Sequence, residues 1–206
     1  MARLAVAATA PFGADVLERL AARHEITALL TRPDAPRGRG QKTGAPPAKE
    51  AAERLGILMA GDEETGVSII GLVEELDAGP IAAQQRFAVG IDDDAGAIFT
   101  RAAELTPDLI DAALETQQPE PQAEDGVTYA EKIGPADREL HWSRPPEELH
   151  NLIRALSPHI GARGLVEGRP AIVWRSRLSD GGLELLEVQP EGRRRMTYDE
   201  FRRGLR

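Results

Sequence analysis

The chain has 206 residues, room for one large domain or two small ones, and a formal net charge of −9. That charge excludes a general nucleic-acid coat and leaves a local basic patch as the way to grip a polyanion. Cysteine is absent, which excludes disulfides and cysteine metal sites and is compatible with a reducing compartment.

No apolar run approaches membrane-span length. The apolar N-terminus is broken by Pro11, Gly13 and Asp15, and reads as a strand feeding a helix rather than a signal peptide. The expectation is a cytoplasmic protein without a metal site. Residues 4–8 (LAVAA) predict a strand, 9–13 a turn, and 14–23 a helix with Val16, Leu17 and Leu20 on one face. Residues 25–30 (EITALL) predict the next strand, completing a right-handed βαβ unit. No G-x-G-x-x-G follows the first strand, so the fold is Rossmann-like without the dinucleotide fingerprint.

Residues 31–49 carry Arg32, Arg37, Arg39, Lys42 and Lys49 against the single acid Asp34. Prolines and glycines predict an irregular loop. A basic loop on an acidic protein suits phosphate contacts, although a solvated surface loop has the same composition. Residues 47–55 predict a helix, with Pro47 early in it.

Residues 67–73 (VSIIGLV) predict a short buried strand between two turn clusters, 63–66 (EETG) and 75–80 (ELDAGP). Asp77 lies in the second. A carboxylate on a loop held by a sheet is placed as catalytic carboxylates often are, although a loop Asp also commonly bonds its own turn. Residues 81–89 predict a strand, and 93–116 a helix that Pro107 kinks or splits.

Residues 117–126 (QQPEPQAEDG) have a linker composition. Beyond them, 128–133 is strand-like, Ser143 is placed to cap a helix starting at 144–146, and short strands are expected at 169–174 and 183–188. Thr197 and Glu200 form a capping-box pattern before a last short helix. Short strands with turn signals suggest a small β-barrel. The organisation expected is therefore α/β: residues 1–116, a linker over 117–126, and a smaller domain over 127–206.

Several of these stretches resemble one family. R-P-D-A-P-R-G-R-G-Q-K over 32–42, T-G-V over 65–67, L-D-A-G-P-I over 76–81 and T-Y-A-E-K-I over 128–133 follow, in order, the pattern of the methionyl-tRNA formyltransferase family. The resemblance implies a Rossmann-like formyltransferase domain followed by an OB-like β-barrel. It implies 10-formyltetrahydrofolate as formyl donor and initiator methionyl-tRNA as acceptor, in translation initiation. Gly38, Arg39 and Lys42 match the tRNA-contacting loop; Thr65, Gly66, Leu76 and Asp77 match the folate loop; Asp77 matches the catalytic carboxylate. The chain is expected to be a monomer, with the exposed sheet as the place where copies would associate.

One departure matters. Residues 57–60 pass directly into Gly61 and Asp62, where the family has a long segment bearing an N-x-H motif and S-L-L-P. In the family that motif supplies the catalytic Asn and His and much of the formyl-folate contact surface. His24, His141, His150 and His159 all lack the N-x-H context. The first domain is thus a truncated form, and little formyl transfer is expected from this chain alone, because donors for the developing oxyanion are missing. Two other readings stay open. One is a formyl-folate enzyme acting on a sugar nucleotide or glycinamide ribonucleotide. The other is a catalytically dead tRNA-binding remnant or an internally deleted chain.

Overall fold

The computed structural model describes residues 3–7, 11–30, 35–37, 42–44, 63–74, 78–116, 118–123 and 133–205. Its contacts divide the chain into two units. One comprises Met1–Leu55, Glu64–Ala88 and Phe99–Ala130; the other comprises Gly56–Glu63, Val89–Ile98 and Glu131–Arg206. Among the described residues no helix is long and apolar enough to cross a membrane.

The first unit opens with the expected βαβ unit. Strand β1 (Arg3–Ala7) pairs in parallel with β2 (Glu25–Leu30), and α1 (Pro11–Ala21) connects them. Helix α1 starts three residues earlier than the apolar periodicity suggested, because proline fits the first helical position without losing a hydrogen bond. Leu20 closes the helix by accepting the amides of Arg23 and His24. Val16 and Leu20 are buried against Ala103 of α2 (Ala95–Glu115), with Ile110 beside them. Arg23 pairs with Asp108 and Asp111 on that helix, and His24 Nε2 lies 2.9 Å from Asp111 Oδ1.

Helix α2 is one continuous helix through Pro107. Proline removes one rung of the ladder. Thr106 Oγ1 donates to Ala102 O at 2.7 Å beside the lost rung, and both Thr106 and Pro107 are buried. The helix begins where Asp94 accepts the amide of Ala97 at 2.9 Å, an N-cap.

The basic segment is not wholly irregular. Strands β3 (Ala35–Arg37) and β4 (Lys42–Gly44) pair antiparallel, with Arg37 opposite Lys42. The predicted buried strand is also corrected. Strand β5 runs Glu64–Ile70, not 67–73, and pairs antiparallel with β6 (Ile81–Ala88). Its residues alternate between exposed and half-buried, as a hairpin with one wet face requires. Leu72 and Val73 lie beyond it, 101% and 50% exposed. The linker is anchored too: Glu120 exchanges both backbone hydrogen bonds with Ile81, at 2.7 and 2.9 Å.

In the second unit, β7 (Ala162–Val166), β8 (Arg169–Ser179), β9 (Gly182–Pro190) and β10 (Met196–Thr197) form a four-stranded antiparallel sheet. Two-residue turns join the long strands. Glu167 and Gly168 both have positive φ, as a type I′ turn demands. Helix α3 (Pro146–Leu156) covers the sheet with Leu149, Ile153 and Leu156 buried against Val173 and Val188. Its N-terminus is set by Pro145 and Pro146, without a side-chain cap, so Ser143 does not play the expected part. The capping box does form: the amide of Thr197 donates to Glu200 at 2.9 Å and that of Glu200 to Thr197 at 3.2 Å, starting α4 (Tyr198–Arg203).

Among the described residues this sheet is open, not the closed barrel expected. The outer edge of β7 meets a single bridge from Glu139 to Arg163. Residues 128–132 of the expected strand lie outside the described residues.

Two measurements test this packing. Both tryptophans, Trp142 and Trp174, lie in the second unit, so fluorescence-detected denaturation reports that unit. Ile153→Ala is expected to lower its stability by about 2–5 kcal/mol, the range for emptying a buried isoleucine site. The capping hydrogen bonds from the Thr197 backbone and hydroxyl hold the Glu200 carboxyl below its ordinary value of 4.5. A carboxylate with a depressed folded pKa stabilises above the unfolded value and ceases to as pH falls through the folded one. The difference in Tm between the native chain and Glu200→Gln should therefore be present at pH 7 and vanish progressively below pH 4.5.

Candidate functional site

The stretch that the sequence singles out is the connection between β5 and β6. A ten-residue excursion, 71–80, leaves one strand of the hairpin and returns to the other. Its two ends are held together. The amide of Gly71 donates to the carbonyl of Pro80 at 2.8 Å, extending the β5–β6 ladder by one rung. Gly79 is buried and lies so close to Gly71 that a β-carbon on it would fall 1.7 Å from the Gly71 oxygen. Only glycine permits that approach. From the other side, Gln122 Nε2 donates to the Gly79 carbonyl at 2.7 Å. Compact loops with neighbouring ends are frequently functional, because the scaffold fixes what they display.

Of the residues expected here, Thr65 and Gly66 are neighbours on β5, opposite Phe87 and Arg86. Thr65 is half-buried and Gly66 exposed. A β-carbon at Gly66 would come within 2.7 Å of the Gln85 carbonyl, so strand pairing alone explains that glycine. Asp77 and Leu76 lie outside the described residues, as do Gly38 and Arg39. Lys42 is the first residue of β4, at the end of the β3–β4 pair. The described residues place Thr65 and Gly66 on β5, opposite Phe87 and Arg86, at least five strand positions from the Gly71–Pro80 base of the loop, and do not bring them to it.

Two features had no counterpart in the sequence reading. Gln122, in a segment with linker composition, bonds the loop. His150 is buried rather than a surface residue: its Nε2 is 2.9 Å from the Ile91 carbonyl and its Nδ1 2.9 Å from Ser176 Oγ. A carbonyl only accepts, so Nε2 carries a proton and donates it to Ile91. Arg154, one turn along α3, donates to the carbonyls of Gly90 and Asp93 at 3.3 and 3.2 Å. Histidine burial at 150 has a periodic signal, since the residue sits beside Leu149 and three before Ile153. Nothing local marks Gln122.

The comparisons with known proteins follow the same residues. The family model for formyl transferase matches residues 51–114, and that for the formyl transferase C-terminal domain matches 132–182. Methionyl-tRNA formyltransferase of Brucella canis is 36% identical over 204 residues, covering 84% of this chain and 67% of the relative. The chain belongs to the methionyl-tRNA formyltransferase family.

The methionyl-tRNA formyltransferase of Paracoccus denitrificans is 29% identical over 283 residues, with 96% of this chain and 95% of that relative covered. That alignment is 77 positions longer than the 206-residue chain (283 less 206). At least that many positions inside the matched span of the relative therefore have no counterpart here. Among solved structures, HypX from Aquifex aeolicus gives a TM-score of 0.67 at 15% identity over 98% of this chain. This chain spans about half of that protein, 48%. Methionyl-tRNA formyltransferase from Clostridium thermocellum gives 0.62 at 16% identity, over 92% of this chain and 99% of that one. At these identities the likeness establishes a formyltransferase fold with α/β content.

The base of the loop offers a direct test. Gly79→Ala is expected to force the ends of the loop apart and to cost about 1–3 kcal/mol, as overpacking does. Amide exchange at Gly71 would report it: the Gly71 N–H, protected in the native chain, should exchange faster in the variant.

Proposed function

We propose that the chain is a methionyl-tRNA formyltransferase by descent, binding 10-formyltetrahydrofolate as formyl donor and initiator methionyl-tRNA as acceptor in translation initiation. What supports this most is the pair of family matches, 51–114 and 132–182, with relatives of that name. In this reading Thr65, Gly66, Leu76 and Asp77 meet the folate, and Gly38, Arg39 and Lys42 meet the tRNA. Residues 1–116 form a truncated Rossmann-like body shortened near 57–60, 117–126 a linker and 127–206 an OB-like domain. The chain acts as a cytoplasmic monomer.

The reaction joins the methionyl amine nitrogen to the formyl carbon and breaks that carbon's bond to the folate nitrogen. The amine loses a proton, and the formyl oxygen carries negative charge in between. In this reading the Asp77 carboxylate assists the transfer of that proton, and the folate nitrogen takes one up as it leaves, giving tetrahydrofolate. Stabilising the oxyanion needs donors aimed at it, and each one missing costs about 10²–10³ in rate. The N-x-H motif that provides them in the family has no match in this sequence. The reading is therefore of a chain that keeps the basic tRNA loop and the L-D-A-G part of the folate loop, and turns over slowly by itself. The absent motif and the 77 or more unmatched positions favour one second reading, a tRNA-binding remnant or internally deleted chain without turnover.

The experiment incubates the purified chain with 10-formyltetrahydrofolate and methionyl-tRNA, measuring formyl-methionine formed and both affinities. Expected are binding of both substrates and turnover at least about 10²-fold below that of the Clostridium thermocellum enzyme. Asp77→Asn should abolish the remainder without changing tRNA affinity. Arg39→Ala should weaken tRNA binding and reduce the slope of log affinity against log salt by about 1. Turnover at an ordinary rate would overturn the slow-chain reading. Binding of tRNA with no turnover at all would favour the remnant, and binding of neither substrate would sink both.

A further inference from the structure

We propose that Ser176 is a nucleophile activated by His150, and that the cavity it lines takes small acyl esters, whose acyl group passes to the serine hydroxyl. Every residue involved belongs to the second unit, and none depends on the formyl-transfer reading.

Ser176 lies on β8 where the pairing with β9 shifts register on both sides of Arg175. Bulges of this kind re-aim a side chain and are over-represented beside active sites. Here the serine hydroxyl is turned to His150, with Oγ 2.9 Å from Nδ1. The other ring nitrogen meets the Ile91 carbonyl at 2.9 Å, which fixes a proton on Nε2. In the neutral ring, a proton on Nε2 leaves Nδ1 with a lone pair facing the hydroxyl. The Asp92 carboxylate, 3.5 Å from Nε2, stabilises the imidazolium that forms when Nδ1 takes the serine proton. A nucleophile, a base and a third group that orients the base are the signature of an activated serine. The pair lines a cavity of about 250 Å³, with Ile153, Trp174 and Leu186 as its apolar wall. Exposed Asp92, Arg175 and Arg177 also line it, so it reaches the surface. Its size suits a short acyl group, since pockets for drug-sized ligands run about 300–1,000 Å³. Arg154 is committed to the carbonyls of Gly90 and Asp93, and Arg177 to Glu184. Arg175 makes no ion pair among the described residues, and its guanidinium is the donor for the developing oxyanion. Ser176 Oγ adds to the ester carbonyl carbon as its proton passes to Nδ1. The carbon–oxygen bond to the alcohol then breaks, the alcohol leaves with that proton, and an acyl-serine remains for water to hydrolyse by the same route.

The test uses the full chain in two ways. The native chain is incubated with p-nitrophenyl acetate, and acetylation is located by mass spectrometry of its peptides. The acetyl group should appear on Ser176 as nitrophenolate is released, be absent in Ser176→Ala, and form about 10²–10⁴-fold more slowly in His150→Gln, the range for losing a general base. The chain also has no cysteine, so Ser176→Cys places its sole thiol beside His150, and Ser179→Cys places one at an exposed position on the same strand. A thiol paired with histidine reacts readily, whereas a buried unpaired one is inert. Iodoacetamide should therefore alkylate Ser176→Cys at least about tenfold faster than Ser179→Cys, and slower than it once His150→Gln is added.

Acetylation that misses Ser176, or that persists in Ser176→Ala, would overturn the acyl-transfer site whatever the thiol does. Slower alkylation of Ser176→Cys than of Ser179→Cys, with the native tryptophan unfolding transition retained, would overturn activation by His150 and leave the pair as a packed core contact. Should Ser176→Cys lose that transition, the native chain decides alone.

Discussion

The candidate chemistry of this chain depends on one closure: the amide of Gly71 on the carbonyl of Pro80 at 2.8 Å. Without it, residues 71–80 would be a ten-residue excursion free to sample many shapes, and closing such a loop costs entropy that one hydrogen bond barely offsets. The closure is therefore reinforced. Gly79 has no side chain to hold the strands apart, and residues 120–122 bond the returning end from outside. Glycine, proline and glutamine each act there through a different property: absence of bulk, a fixed backbone angle, and a long neutral donor. The β5–β6 ladder continues away from this base through Gln84 Nε2 on Ser68 Oγ at 2.8 Å and Arg86 on Glu64 at 3.1 Å.

The second unit solves a related problem with a β-bulge. Along β8, Ala171 and Val173 face inward, then Trp174 and Ser176 do. The pairing with β9 shifts register around Arg175, and an extra residue reverses which side chains point in. That reversal brings the Ser176 hydroxyl to His150. His150 in turn donates to Ile91, and Arg154 donates to Gly90 and Asp93. Helix α3 thereby holds the 90–93 turn through main-chain carbonyls.

Much of this was legible in the sequence, and the misses have physical causes. Apolar periodicity in 14–23 and the β-run 25–30 marked the βαβ unit correctly, and two of the helix positions it picked out, Val16 and Leu20, are buried. The same logic misplaced β5. Leu72 and Val73 extended an apolar run that in the structure ends at Ile70, since hydropathy does not distinguish a strand residue from an exposed loop residue. Strand β7 was missed because Leu165 is exposed beside Arg163 on the solvent face, so ARGLV shows no clean apolar–polar alternation. The β3–β4 pair hid in a segment whose prolines and glycines read as irregular, although Pro36 sits within an edge strand, where proline is tolerated. For the site, L-D-A-G-P was visible as a pattern because turns write their geometry into glycine and proline. Gln122 was not, because a long-range side-chain bond leaves no local periodicity or turn signal.

The same distinction between local and assembled features bears on function. The basic segment and the 71–80 loop are each encoded within a few residues, so each persists when a distant part of the chain is lost. An oxyanion site is different in kind. It needs donors from separate strands converging on one point, and groups that act as a unit do not lose activity in proportion to the number removed. Removing at least 77 positions from within the matched span of a relative can therefore spare what binds and still remove most of what catalyses. Binding surfaces degrade gradually when sequence is lost, whereas a preorganised charge site fails abruptly.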